Sequence, residues 1–196
     1  MSGAPPAPPP EPDLRPIALV GLRASGKSTL GRLLATRLCR AFVDLDDEIA
    51  REDAALRGAS SQRPAGLILA AEGEPRFRDL EERALERVLS RTEPLVLATG
   101  GGVVERARNR LLLRTRARCV WLQVPVEELQ RRMRADPTPR PALLGGDPLE
   151  EVASVLQRRR AWFQELEPRV LACAGRAEDL VNAVLLALEG GPRPAP

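Results

Sequence analysis

No histidine occurs in the 196-residue chain, and its three cysteines, Cys39, Cys119 and Cys173, lie far apart. Zinc modules need Cys and His clustered at short spacings, so that class is excluded. Three scattered thiols give no disulfide framework either, and they are expected to be small buried hydrophobes in a reducing compartment. Long apolar runs are also missing. None is long enough to span a bilayer, and the N-terminus lacks the basic-then-apolar pattern of a secretory signal. The expectation is a cytoplasmic protein with no membrane partner. Charge of one sign is absent too: 30 Lys+Arg against 27 Asp+Glu leave a net charge of +3. That balance is too even to indicate a nucleic-acid partner, although several arginines can still gather in one site. Arginine greatly outnumbers lysine, which makes Lys27 conspicuous.

What is present suits an ordinary globular protein: 43% of residues are hydrophobic and 29% charged, in a length that fits one domain with a full core. Residues 1–16, MSGAPPAPPPEPDLRP, are too proline-rich to pack and are expected to form an extended tail, with 190–196 as its counterpart. Between the tails, residues 17–189 alternate short apolar runs with segments of helical period. Ile17–Val20, Ala41–Val43, Leu95–Ala98, Cys119–Leu122 and Val170–Ala172 are strand candidates. Leu30, Leu33, Leu34 and Leu38 repeat at helical spacing, as do Leu80, Ala84, Leu85, Val88 and Leu89, a stretch from about Leu149 to Leu166, and Leu180 to Leu188. Continuous apolar strands alternating with helices predict a five-stranded parallel sheet covered on both faces, a three-layer α/β/α sandwich.

Gly21–Thr29, GLRASGKST, matches G-x-x-x-x-G-K-[ST] and falls between the first strand and its helix. Such a loop turns successive backbone N–H groups inward around phosphate oxygens, and the helix N-terminus adds partial positive charge. Ala24, Ser25, Gly26, Lys27, Ser28 and Thr29 are therefore expected to bind a nucleoside triphosphate. Lys27 reaches the β- and γ-phosphates and Ser28 ligates Mg²⁺. At the end of the second strand stand Asp44, Asp46, Asp47 and Glu48, where ligands of α/β sheets gather. Asp44 and Asp46, two apart, can serve different partners, one holding magnesium through water and the other accepting a proton from an attacking hydroxyl. Asp47 and Glu48 fit an acidic first helical turn. Gly100, Gly101 and Gly102 after the third strand allow backbone to approach a ligand closely. Arg78 is expected to open a helix, Arg140 sits in a Pro/Gly-rich segment suited to a lid, and Arg158-Arg159-Arg160 interrupts a packing helix.

Taken in order, GLRASGKST, FVDLD, GEPRFR, ATGGG, RPALL and RRAWF resemble the shikimate kinase family, from about Ile17 to Leu188. The resemblance implies a phosphate-loop, nucleoside-monophosphate-kinase-like fold with a substrate-binding lobe at about 47–80 and a lid at about 135–148. It implies ATP-dependent phosphorylation of the 3-hydroxyl of shikimate, in the chorismate route to aromatic amino acids, by a monomer. Carried over by motif, Asp46 holds the substrate hydroxyls and is the candidate base, while Asp44 helps position magnesium. Arg78 and Arg159 pair with the substrate carboxylate, an anion that arginine forks bind bidentately. Gly101 and its neighbours offer N–H groups to ring hydroxyls, Arg140 closes over the transferring phosphoryl group, and Arg176 lies near adenine.

Three positions and one stretch depart from the family pattern. Ala24 stands where many members have a second glycine, Leu69 where phenylalanine is common, and Phe163 where tyrosine is usual. The stretch Arg51–Gly66 is longer than usual and is either a surface insertion or a reshaping of the pocket. Two other readings are open to this sequence: a kinase for another small hydroxy acid such as gluconate, and a shikimate-kinase-like domain retained as a ligand sensor.

Overall fold

The computed structural model describes residues 13–135, 147, 149–166, 169–172 and 176–189. Its core is a parallel sheet built from β1 (Ile17–Val20), β2 (Ala41–Asp44), β3 (Leu95–Ala98), β4 (Arg118–Gln123) and β5 (Arg169–Ala172), in the order β2-β3-β1-β4-β5. β1 lies between β3 and β4, with Leu19 in register with both Ala98 and Val120. Every residue of β1 and β3 is buried, so both faces of the sheet centre are covered, whereas β2 at the edge is partly open. This is why the central strands read as unbroken apolar runs rather than alternating ones.

The helices in chain order are α1 (Lys27–Leu38), α2 (Leu45–Arg57), α3 (Ala65–Leu89), α4 (Ala107–Arg116), α5 (Val126–Ala135), α6 (Glu151–Glu165) and α7 (Ala177–Glu189). The path from β1 to β2 runs one way along the sheet, and those from β2 to β3, β3 to β4 and β4 to β5 run the other way. Right-handed crossovers therefore place α1 on one face and α3, α4 and α6 on the other. The packing agrees: α1 lies against α7, α3 against α4, and α5 against α6. Among the described residues, no helix is long and apolar enough to cross a membrane.

Several local features differ from the sequence expectation. The helix expected to open at Arg78 begins at Ala65 and bends at Gly73, whose φ of 79° and ψ of 167° are non-helical. Arg78 thus lies within α3, just past the bend. Two helices, α4 and α5, were not anticipated: consecutive leucines hide the period in α4, whereas α5 is short and mostly charged but does carry Val126, Leu129 and Met133 at helical spacing against the core. Asp13–Pro16 do not behave as part of a tail. Arg40 Nη2 and Nη1 donate to the backbone oxygens of Asp13 and Arg15 at 2.8 and 3.0 Å, and Arg118 N donates to Pro16 O at 2.8 Å. The thiols also divide: Cys39 is exposed at the left-handed C-cap of α1, while burial pushes the Cys119 thiol up to about 12. Cys173 lies outside the described residues. The Arg51–Gly66 stretch consists of the end of α2, a short loop and the first two residues of α3. Asp53, 4% exposed, anchors that loop by accepting from Arg57 Nε at 2.8 Å and Arg63 Nη2 at 2.7 Å.

Candidate active site

The phosphate loop joins the buried end of β1 to α1, so its shape is fixed from both sides. Lys27 is 8% exposed, and its Nζ donates to Gly21 O at 2.9 Å, Leu22 O at 2.7 Å and Ser25 Oγ at 3.2 Å. The ammonium is thereby held within the loop. Ala24 adopts φ 61°, a left-handed conformation that a residue with a side chain rarely takes. Ser28 Oγ donates to Asp44 Oδ2 at 2.7 Å, and Asp44 Oδ1 accepts from Asp46 N at 3.2 Å as the N-cap of α2. One carboxylate thus ties the start of α1 to the start of α2. The hydroxyl and carboxylate oxygens are hard donors of the type magnesium takes. Among the described residues, no three His, Cys, Asp or Glu side chains form a cluster able to hold a metal alone.

Beside the phosphate loop stands an arginine that no sequence motif marks. Arg132 of α5 donates from Nη1 to Ala24 O at 3.3 Å and from Nε to Glu128 Oε1 at 2.6 Å. Its guanidinium lies over the loop, near Gly26. The RRMR run hides it as ordinary helical surface charge.

The second half of the site forms around the three glycines that follow β3. Arg78 from α3 and Arg159 from α6 both reach this turn, and they are 7% and 2% exposed. Arg78 Nη1 donates to Glu81 Oε2 at 3.0 Å and Nη2 to Glu74 Oε1 at 3.1 Å, and Nη2 also lies 3.1 Å from Glu105 Oε2. Arg159 donates through Nε and Nη2 to Glu105 Oε1 at 2.9 and 2.6 Å, and through Nη1 to Gly101 O at 2.9 Å. Gly102 has a specific steric reason. A Cβ there would collide with the Arg78 guanidinium, so any side chain would evict the arginine.

Asp46 is exposed on the first turn of α2, and its Oδ1 approaches the position that a Gly100 Cβ would take to 3.5 Å. Glu81 Oε1 approaches the same point to 3.0 Å. Burial pushes the Glu81 carboxyl up to about 7, Arg78 pulls it down, and Asp46 and Glu105 add to the rise. Burial also acts to raise Glu105, but Arg159 and Arg78 outweigh it and hold that carboxyl below its ordinary value. For Arg78, burial acts downward, yet Glu81 and Glu105 leave it raised. For Arg159, burial prevails over Glu105 and leaves it lowered. Glu81 and Glu105 escaped the sequence reading because acidic residues within arginine-rich stretches resemble a solvated face.

The structure therefore brings the phosphate loop, Asp44, Asp46, Arg78, Gly100–Gly102 and Arg159 to the carboxyl ends of the central strands. Arg140 and RPALL lie outside the described residues. Arg176 is exposed just before α7 and pairs with Glu178 at 3.3 Å. Phe163 is buried and stacks on Trp121 of β4, ring centroids 5.2 Å apart, which fixes the helix that carries Arg159. Leu69 packs at the edge of the core.

Residues 23–189 match the family model for shikimate kinase. The shikimate kinase of Synechococcus sp. (strain RCC307) is 39% identical over 174 residues, covering 89% of this chain and 84% of that one. The shikimate kinase of Gloeobacter violaceus is 43% identical over 156 residues, covering 80% and 82%. A solved structure of shikimate kinase from Acinetobacter baumannii in complex with shikimate superposes with a TM-score of 0.77 at 35% identity, covering 91% of this chain and 96% of that one. A family model matched over residues 23–189, and relatives 39% and 43% identical over most of both chains, show that the chain belongs to the shikimate kinase family.

Proposed function

We propose that the protein transfers the γ-phosphoryl group of ATP to the 3-hydroxyl of shikimate, giving shikimate 3-phosphate and ADP. The observation that carries this reading is the convergence of two nearly buried arginines, from α3 and α6, on one carboxylate position beside the glycine turn. A small anionic polyol needs such a fork for its carboxylate and acceptors for its hydroxyls. In this reading Arg78 and Arg159 hold the carboxylate, and backbone N–H groups of Gly100–Gly102 meet ring hydroxyls. Asp46 orients the 3-hydroxyl and takes its proton as the new P–O bond forms and the bond to the ADP oxygen breaks. Lys27, Arg132 and Arg140 offset charge on the transferring group, since phosphoryl transfer depends chiefly on positioning and neutralisation. Ser28 and Asp44, already paired through Oγ and Oδ2, are the residues that would hold magnesium. When bound with ATP, magnesium neutralises phosphate oxygens. Arg176 lies toward adenine.

The even charge balance supports small-molecule partners over nucleic acid. A monomer suits a site drawn from one chain, and a cytoplasmic setting suits its ATP dependence. The gluconate and ligand-sensor readings gain no support from the relatives.

The test is ADP release from ATP with shikimate as acceptor, against gluconate and no-acceptor controls. Turnover only with shikimate is the expected result, and turnover independent of it would overturn the reading. Asp46→Asn should reduce kcat by about 10²–10⁴-fold, the usual worth of a positioned general base, with ATP affinity within about twofold of wild type. Near-normal turnover in that variant would remove Asp46 as the base.

A further inference from the structure

We propose that Glu105 is an internal competitor for the substrate carboxylate, occupying the Arg78–Arg159 fork and setting the affinity for the acceptor. The inference rests on the shikimate reading and extends it to a residue outside the motif set. Glu105 places Oε2 3.1 Å from Arg78 Nη2, and Oε1 2.6 and 2.9 Å from Arg159 Nη2 and Nε. It therefore engages the fork in the manner a substrate carboxylate would. Arg159 spends its remaining Nη1 on Gly101 O at 2.9 Å. A second carboxylate arriving at the same guanidinium edges would meet like charge at contact distance, which is strongly unfavourable in a site this buried.

The local structure supports displacement rather than permanent occupancy. Glu105 belongs to the turn after the glycines, not to a helix, and is held there by a bond from its N to Gly102 O at 3.0 Å. Its side chain is 17% exposed, while Arg78 and Arg159 are enclosed. Arg158, 44% exposed, already lies 3.2 Å from Glu105 Oε1. A small rotation toward solvent keeps Glu105 paired with Arg158 and releases the two buried guanidiniums to the incoming anion. The acceptor thus replaces one ion pair by another, and the difference between the two sets its affinity. A purely positioning role predicts the opposite sign, because losing Glu105 would then loosen both arginines and weaken binding.

Steady-state kinetics of Glu105→Gln and Glu105→Asp decide between these, with KM for shikimate and for ATP measured separately. Glu105→Gln should lower KM for shikimate about fivefold, the scale of one charge-assisted hydrogen bond removed from the competing state, with KM for ATP unchanged. Glu105→Asp, which draws the charge back by one methylene, should lower it less. A KM for shikimate that rises or stays the same in whichever variant folds overturns the proposal. Absence of shikimate-dependent turnover in the wild type would instead overturn the function it rests on, so the two failures are distinct.

Discussion

Glu81 is fully buried in α3, with Oε2 on Arg78 Nη1 and no hydrogen-bond partner for Oε1 among the described residues. Its folded-state value of about 7 lies above the ordinary 4.5, driven by burial against the pull of Arg78, with Asp46 and Glu105 nearby. The folded chain therefore binds this proton more tightly than the unfolded chain does. The stability it contributes is fully present below about pH 4.5 and is lost as pH rises through about 7. Glu81→Gln is neutral throughout and lacks this dependence. From pH 5 to pH 8, wild type should lose stability relative to the variant by on the order of 3 kcal/mol, the difference of the two values at about 1.4 kcal/mol per unit. Urea unfolding at both pH values measures it, and parallel losses in the two proteins would show that Glu81 is already ionised when folded. The same carboxyl faces Gly100 beside Asp46, so the proton it carries also affects the charge available to an acceptor hydroxyl.

Within α3, the bend at Gly73 determines where Arg78 points. The φ of 79° with ψ of 167° falls in a region open almost only to glycine, and the chain then restarts as helix with Pro75 in its first turn, where a missing N–H costs nothing. Arg78 follows one turn later, flanked by Glu74 and Glu81 at helical spacing. A Cβ at Gly73 would meet only Pro75 Cδ, at 3.9 Å. Gly73→Ala is therefore a test of backbone conformation alone. It should destabilise the protein by about 1–3 kcal/mol and raise KM for shikimate as Arg78 shifts. An unchanged urea midpoint would mean the bend is available to alanine. Much of this was legible in the sequence. The phosphate loop, the apolar strands, GEPRFR and the glycine run all carry short-range signals. What was not legible is contact made through space. Gly102 is required by the Arg78 side chain 24 positions away, Arg132 by a carbonyl of the phosphate loop, and Glu105 by two arginines from separate helices. No local period encodes such pairs, and in an arginine-rich chain they look like surface charge. The start of α3 was missed for a local reason: the non-helical Gly73 separates its first two turns from the half that carries Arg78, so the two do not read as one helix.

Across the whole molecule, the parts of the site lie far apart in sequence and meet only because β1 is central. The loop after β1, Asp44 at the end of β2 and the glycines after β3 all stand at the same ends of adjacent parallel strands. Arg159 reaches them from α6, which is fixed by the Phe163–Trp121 stack on β4. The acceptor site is thus assembled from both sides of β1 and cannot form in a partly folded chain. Anything that binds it stabilises the folded state as a whole. At 100 times its dissociation constant, shikimate should add about 2.7 kcal/mol, and for a chain of this size that raises Tm by roughly 5–10 °C at about 2–4 °C per kcal/mol. Calorimetry should give one transition that moves upward with shikimate concentration. Two transitions, only one of which moves, would show that the arginine fork and the sheet unfold separately. That result would contradict a site built on a single core. A single unmoved transition would instead show that the fork does not take this carboxylate.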